Sequence, residues 1–437
     1  MQKRSRNPQQ QSMFSGLEEM LNPKDPLYQL AHKIPWEELQ RGFSKYYVEF
    51  GRPEKETRLM ISLLILKQIY DLGDEDLVKQ WTQNPYWQYL GGQEQFQWKL
   101  PCDPSEMSHF RKRIGEEGVQ RIFKLSVDLH GNKDVAEAEV VVDTTVQEKN
   151  ITFPTDTKLY RKVAAKCIEI ARDENIELRR SYRRTIPKLI FAQRGRNRPR
   201  GYKKAIKAQR KLKTIAGRLV REIERKLPVQ QQERYAEQLN LFKRVLEQQR
   251  SDKNKIYSLH EPHVYCISKG KEHKKYEYGS KVSIAMTKKS AIIVSAMNLE
   301  KNVYDGKTLP AVLQDIERHT GKRPEVAIVD QGYRGKQQIE ETRIISAKEL
   351  RKKLSKYEKQ KTRKRLRRRA AIEPVISHLK SEFRLARNYL KGVVGDHLNV
   401  LMAAAAFNIK KWLNKVASLI FLFFSSRENR LFLAHHC

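Results

Sequence analysis

The apolar positions of this chain change period several times, and each change marks a change of element. From Thr57 the run TRLMISLLILKQIYDLGDEDLVKQWTQNPYWQYLGG starts as a strongly apolar helical stretch, breaks at Gly73 and restarts as a short helix at Asp74. Pro104 and Ser105 open PSEMSHFRKRIGEEGVQRIFKLSVDLHGN, in which Phe110, Ile114, Val119, Ile122, Phe123 and Leu125 recur near helical spacing. Residues 1–135 therefore read as a helical N-terminal domain, either placing a helix in a DNA groove or forming a dimerisation bundle. At Glu139–Val146, EVVVDTTV is β-branched and predicts a buried strand. After a long polar stretch and a mixed-charge helical segment, Glu222–Arg250, strand signals resume in KVSIAMT (Lys281–Thr287) and AIIVSAMN (Ala291–Asn298), with Lys288–Ser290 as a hairpin turn. A helix, KTLPAVLQDIERHTG, then precedes the strands EVAIVD (Glu325–Asp330) and TRIISA (Thr342–Ala347). Residues from Ile372 to about Leu413 read as helical, ending in the buried stretch LNVLMAAAAFNIKKWL.

That order predicts an α/β core with mixed strand directions, interrupted after its first strand by a helical insertion. The expected divisions are 1–135, the helical N-terminal domain; 136–158, the first part of the core; 159–255, the basic insertion; 256–413, the remainder of the core; and 414–437, an apolar tail. VASLIFLFF, Val416–Phe424, is about half the ~20 apolar residues a spanning helix needs, so no membrane partner is expected. The N-terminus lacks the apolar core of a signal peptide, which points to the cytoplasm. Cys102, Cys167, Cys266 and Cys437 are widely spaced and form no CxxC pair, which argues against a disulfide framework or a zinc ribbon.

Charge changes this picture from a fold to a partner. With 87 Lys and Arg against 51 Asp and Glu, the formal net charge is +36, which excludes an acidic or neutral enzyme surface and calls for a polyanion. Between Arg179 and Arg221 there are 17 basic residues and no acidic one, including Arg194, Arg196, Arg198, Arg200, Lys203 and Lys204. This density reads as a DNA clamp rather than a solvated helix face, because its self-repulsion calls for a polyanion. A second run, Leu350–Arg369, has twelve basic residues, among them Arg367, Arg368 and Arg369, opposed by Glu358 alone.

Phosphodiester chemistry on such a partner commonly uses two divalent ions held by carboxylates. Asp143 and Asp330 each follow a run of buried-strand residues, at points where a strand is expected to leave its sheet. Glu373 precedes Pro374 and is expected at or just before a helix start, with Lys380 two turns on along nearly the same face. The remaining acids carry less. Asp74, Glu75 and Asp76 read as helix caps and dipole partners, and Asp156, Asp305 and Asp315 lack a strand-end setting. His435, His436 and Cys437 lack a fourth metal ligand, and His378 reads as a packed residue or a phosphate neighbour.

Three blocks carry a resemblance: DTTVQEKNITFPTDTKL around Asp143, VDQGYRG around Asp330 and RRRAAIEPVISHLKSEFRLARNYLKG around Glu373. Together they resemble bacterial insertion-sequence transposases of the IS5 type, members of the DDE transposases, and WTQNPYWQYLGG with PCDPSEMSHFRKRIG resembles the family's N-terminal domain. The resemblance implies an RNase H-like catalytic core in which Asp143, Asp330 and Glu373 hold two Mg²⁺ ions, with Mn²⁺ as a substitute. It also implies that Arg369 and Lys380 grip phosphates. The family's Tyr-Arg-Glu-Lys signature is matched by Arg369, Glu373 and Lys380, whereas Leu366 stands where the Tyr is expected. The implied activity is binding of inverted repeats, cleavage of the element ends and joining of the 3′-OH to target DNA, by a homodimer in the bacterial cytoplasm at the nucleoid. An RNase H-like nuclease without strand transfer and a non-enzymatic nucleic-acid-binding protein are the alternatives.

Overall fold

Several helices begin where the sequence supplies both a cap and a proline. Asp103 caps the helix Pro104–Asp128 in a reciprocal box with Glu106, and Asn84 caps Pro85–Leu90. Ser355 and Glu358 form a second box that starts the basic helix Lys356–Arg369. The computed structural model describes residues 16–47, 55–268, 275–333, 337–351 and 355–434. These fall into two compact units: 1–147 with 281–299 and 303–437, and 148–280 with 300–302.

The first unit holds most of the sheet. Its strands are β1 (Glu139–Lys149), the later part of β3 (Tyr276–Thr287), β4 (Ile293–Leu299), β5 (Val326–Ile328), β6 (Gln338–Ile339), β7 (Thr342–Ile345) and β8 (Arg387–Asn388); β2 (Tyr265–Ser268) belongs to the second unit. The order along the sheet is β2-β3-β1-β5-β7-β6, with β4 added on β3 and β8 on β1. β4 runs antiparallel to β3, while β5 runs parallel to both β1 and β7. The mixed directions read from the sequence are thus present, and the hairpin turn falls where expected, with Ala291 at φ 50°.

The N-terminal helices share one apolar core with this sheet, so residues 16–135 are not a separate globule. The reason is the helix Gly392–Ala434, whose buried stretch Leu401–Ala406 packs on Pro104–Asp128, on Thr57–Ile69 and on β4. Asn408 on that helix exchanges two hydrogen bonds with the backbone of Ile293 at 2.9 and 2.8 Å, satisfying the start of β4. The Ile372–Leu413 region expected as helical is interrupted: Ile372–Ser381 is a helix, β8 follows, and the long helix starts at Gly392 with φ 73°. Buried Asn388 fixes that interruption by donating to Asp396 at 2.6 Å and accepting from the Leu390 N–H. The expected tail, 414–437, continues this helix to Ala434; the side chains of 420–434 and all of His435, His436 and Cys437 lie outside the described residues. By length and composition Gly392–Leu419 could cross a membrane, but 72% of its apolar window is buried inside the protein.

The second unit spans Glu148–Ser280, wider than the 159–255 marked out by composition, because β1 runs on into it and the first turns of β3 and all of β2 belong to it. Its helices are Asp156–Asp173, Thr185–Ala192, Pro199–Lys226 and Val229–Glu247. In Pro199–Lys226, Ala205, Ala208, Leu212, Ile215, Leu219 and Ile223 recur at three- and four-residue spacing and are buried, the last four in one core with Leu159, Val163, Cys167 and Phe242. Each such Leu or Ile contributes roughly 1.5–3 kcal/mol by burial. The basic residues occupy the remaining faces of the same helix, so one sequence both builds a core and displays charge.

Candidate active site

β1 and β5 set the frame of the site. Their parallel register pairs Val141 with Ile328, and two residues further along each chain stand Asp143 and Asp330. The register therefore brings Asp143, within β1, and Asp330, two residues past the end of β5, to the same end of the paired strands. Asp330 lies two residues beyond the end of β5, after Val329, and enters a turn closed by the Tyr333 N–H to the Asp330 carbonyl. Asp143 does not end its strand, because β1 continues through Thr144, Thr145 and Val146 to Lys149. Buried Gln147 holds this extension by donating to the Asp396 carbonyl and accepting from Asn399. The Asp143 Oδ1 accepts the Thr144 N–H at 2.8 Å.

Glu373 is the second residue of Ile372–Ser381, with Pro374 in the first turn, where its missing N–H costs no helical bond. Arg369, at the end of Lys356–Arg369, joins it to the sheet. Its guanidinium lies 3.3 Å from Glu373 Oε1 and 3.8 Å from Asp330 Oδ1, bridging two of the three predicted carboxylates.

A model of the Transposase DDE domain matches residues 255–409, and a transposase domain (DUF772) matches residues 15–113. A Rhizobium meliloti protein described as "Uncharacterized protein ORF8 in nfe locus" is 43% identical over 172 residues, covering 38% of this chain and 83% of that protein. The chain belongs to the DDE transposases. No solved structure matches it.

In this transposase a further carboxylate stands at the site. Asp305, the first residue of the helix Asp305–Thr320, accepts Thr144 Oγ1 at 3.2 Å and Lys281 Nζ at 3.0 Å, and Lys281 also donates to the Val303 carbonyl. A Cβ on Gly332 would lie 3.9 Å from Asp330 Oδ2 and 4.0 Å from Asp305 Oδ2, so glycine leaves the space between the two carboxylates open. Asp305 lacks the strand-end setting of Asp330 and stands instead at a helix start. The usable signal was an Asp at the start of a helix that follows directly on a core strand. Buried Tyr333 lies beside the same group: burial first, and then the charges of Asp143 and Asp305, hold its hydroxyl well above the ordinary tyrosine range.

All the acidic donors here are carboxylate oxygens, the ligand type suited to Mg²⁺ or Mn²⁺. Among the described residues no three His, Cys, Asp or Glu side chains are close enough to hold one ion, and the Arg369 guanidinium is the cation between Asp330 and Glu373. The donor set therefore fits in kind, with the carboxylates spaced apart.

The predicted phosphate contacts divide into two groups. Arg367 is exposed, and Lys380 is half-buried two turns beyond Glu373. Arg368 is instead committed to structure, donating to the Lys288 and Lys289 carbonyls of the β3–β4 turn at 2.9 and 3.1 Å. Neighbouring Arg365 bonds Glu139 at 2.8 Å and Lys288 does so at 2.6 Å. Burial acts to raise the Glu139 carboxyl, but these two partners outweigh it and leave the group below its ordinary value. Leu366, at the signature's Tyr position, packs against the core. His378 is exposed and pairs with Glu382. Arg194, Arg196, Arg198, Arg200, Lys203 and Lys204 are all exposed in the second unit.

Proposed function

We propose that this chain is an IS5-type insertion-sequence transposase that binds the inverted repeats of its element, cleaves the ends and joins the freed 3′-OH to target DNA. The observation that carries the reading is the placement of Asp143 and Asp330 at the same end of the parallel pair β1–β5, with Glu373 tied to Asp330 through Arg369. The sheet, with an antiparallel hairpin on one side of β1 and parallel strands on the other, supports an RNase H-like core.

In this proposal Asp143, Asp330 and Glu373 would hold two Mg²⁺ ions, which would supply charge stabilisation for phosphoryl transfer. The chain's own groups do the rest. The Thr144 N–H orients Asp143, and Asp305, held by Lys281, orients the Thr144 hydroxyl. Arg369 turns from the carboxylates to a phosphate of the bound strand, where its planar fork suits two oxygens, and Lys380 adds a second positive charge. The helical N-terminal residues pair two copies across the two element ends, and the protein works on DNA in the bacterial cytoplasm.

Asp143→Asn tests the site, because the amide keeps the shape and removes the charge. Divalent-ion-dependent nicking of end DNA is expected to fall by several orders of magnitude while DNA affinity is retained; nicking at the wild-type rate refutes the assignment. A strand-transfer assay on precleaved ends separates a transposase from a nuclease, which yields no joined product.

A further inference from the structure

We propose that the second unit carries a built cleft for the phosphates of a DNA strand, separate from the Arg194–Lys204 stretch and formed by Arg179, Arg180, Arg218, Arg221 and Arg225. The proposal deepens the DNA-binding part of the function proposed above and rests on it.

The cleft has two walls. Arg218, Arg221 and Arg225 stand at i, i+3 and i+7 on Pro199–Lys226, within one exposed stripe of that helix. Arg179 and Arg180 come from the segment before Thr185–Ala192, and the five guanidiniums with Tyr182 line a concavity of about 390 Å³. The segment is fixed against the helix. Glu222 accepts the Arg179 N–H at 2.6 Å, Lys226 donates to the Glu177 carbonyl at 2.5 Å, and Ile176, Leu178 and Tyr182 pack on the unit's core.

The positive charge in this cleft exceeds its counter-charge, five guanidiniums against one carboxylate. Glu222 is its one carboxylate, and it is taken by the Arg179 N–H and by Lys226 at 3.0 Å. Those hydrogen bonds, both made to its Oε1 and the backbone one foremost, hold its carboxyl below the ordinary glutamate value, so it remains an anion. Among the described residues none of the five arginines makes an ion pair, whereas Lys166 pairs with Glu169 and Lys243 with Glu224 elsewhere in the same unit. Five unpaired guanidiniums converging on a concave surface repel one another until an anion lies among them.

Size selects the anion. From Arg218 to Arg225 the helix rises about 10 Å, and a DNA strand advances about 3.4 Å per phosphate. A strand lying along the helix therefore meets the stripe with about three successive phosphates, more than a mononucleotide or inorganic phosphate offers.

The test uses the full chain. Arg218→Gln/Arg221→Gln/Arg225→Gln alters exposed side chains only, and DNA affinity is read by fluorescence anisotropy against salt. The slope of log K on log salt is expected to shrink by about 2–3 and affinity at 0.1 M salt to fall roughly tenfold or more. Lys166→Gln/Lys243→Gln, which removes paired cations, is expected to change the slope by less than about one. Independently, DNA bound to the wild type should shield Arg218 and Arg221 from phenylglyoxal in peptide mass maps. An unchanged slope in the triple variant with unshielded arginines overturns the cleft. Equal shielding by inorganic phosphate at matched phosphate concentration also overturns it, in favour of a small-anion site. The two proposals fail separately. If Asp143→Asn abolishes nicking but the triple variant binds DNA like wild type, the cleft is wrong; if the cleft arginines are shielded but Asp143→Asn still nicks, the catalytic assignment is wrong.

Discussion

Asp74 holds two buried cations at once: Arg111 grips it through both guanidinium nitrogens at 2.9 and 2.6 Å, and Lys67 lies at 2.5 Å. Read alone, it looks like a helix cap; in the fold it is the anion of a partly buried triad. Asp74→Ala strands two cations in the core and is expected to cost about 3 kcal/mol in urea unfolding, whereas Lys67→Met leaves the Arg111 pair intact and should cost much less. Burial, foremost, and Arg111 push Lys67 from 10.5 to about 8. Between those values the unfolded chain binds more protons than the folded one, so wild-type stability should rise relative to Lys67→Met as pH climbs from about 8 to 10. At the site, Asp305→Asn weakens the hold on Lys281 and Thr144 without removing a proposed metal ligand. Nicking is expected to slow about 10–100-fold with DNA affinity unchanged, measured by a nicking assay beside anisotropy. Wild-type nicking would reduce Asp305 to a helix-start residue.

Among the elements, the helix Gly392–Ala434 and strand β1 do most to position the site. The helix was legible as buried from its apolar run, but its partners were not, since a helix buried all round carries no stripe to show which neighbour it meets. Asn408 marks one such partner: fully buried, it supplies the backbone pairing that Ile293 lacks at the start of β4 and also donates to Ser126. Asn408→Ala leaves a buried N–H and a buried carbonyl unpaired and is expected to cost about 2–3 kcal/mol in urea unfolding. For β1, the β-branched run gave the strand and its start. Its continuation through Gln147 to Lys149 depends on Asn399 and the Asp396 carbonyl, some 250 residues away in sequence, and no local pattern encodes that.

For the molecule as a whole the excess charge of +36 is the dominant quantity. Its two dense runs meet different fates. In Leu350–Arg369, Arg365, Arg368 and Arg369 are partly spent on Glu139, on the β3–β4 turn and on the site carboxylates. In Arg179–Arg221, and at Arg225 beyond it, the arginines of the cleft make no ion pair among the described residues. DNA binding by the full chain should therefore weaken steeply with salt, with a slope of several units in log K against log salt. A flat response would count against phosphate contacts as the source of affinity.

The sequence by itself determined the class of partner, the order and type of most elements, and three carboxylates worth testing, because net charge, hydrophobic period and strand-flanking acids are local properties of the chain. Only the tertiary structure decided that Asp143 and Asp330 come to the same end of one strand pair, since register is set by pairing between strands 187 residues apart. It alone brought Asp305 to Asp330 across Gly332, turned Arg368 from a free cation into a structural one, and folded Arg179 and Arg180 against the Arg218–Arg225 stripe. In each case the deciding interaction joins residues distant in sequence, and a linear pattern records which side chains exist but not which of them the fold leaves without a partner.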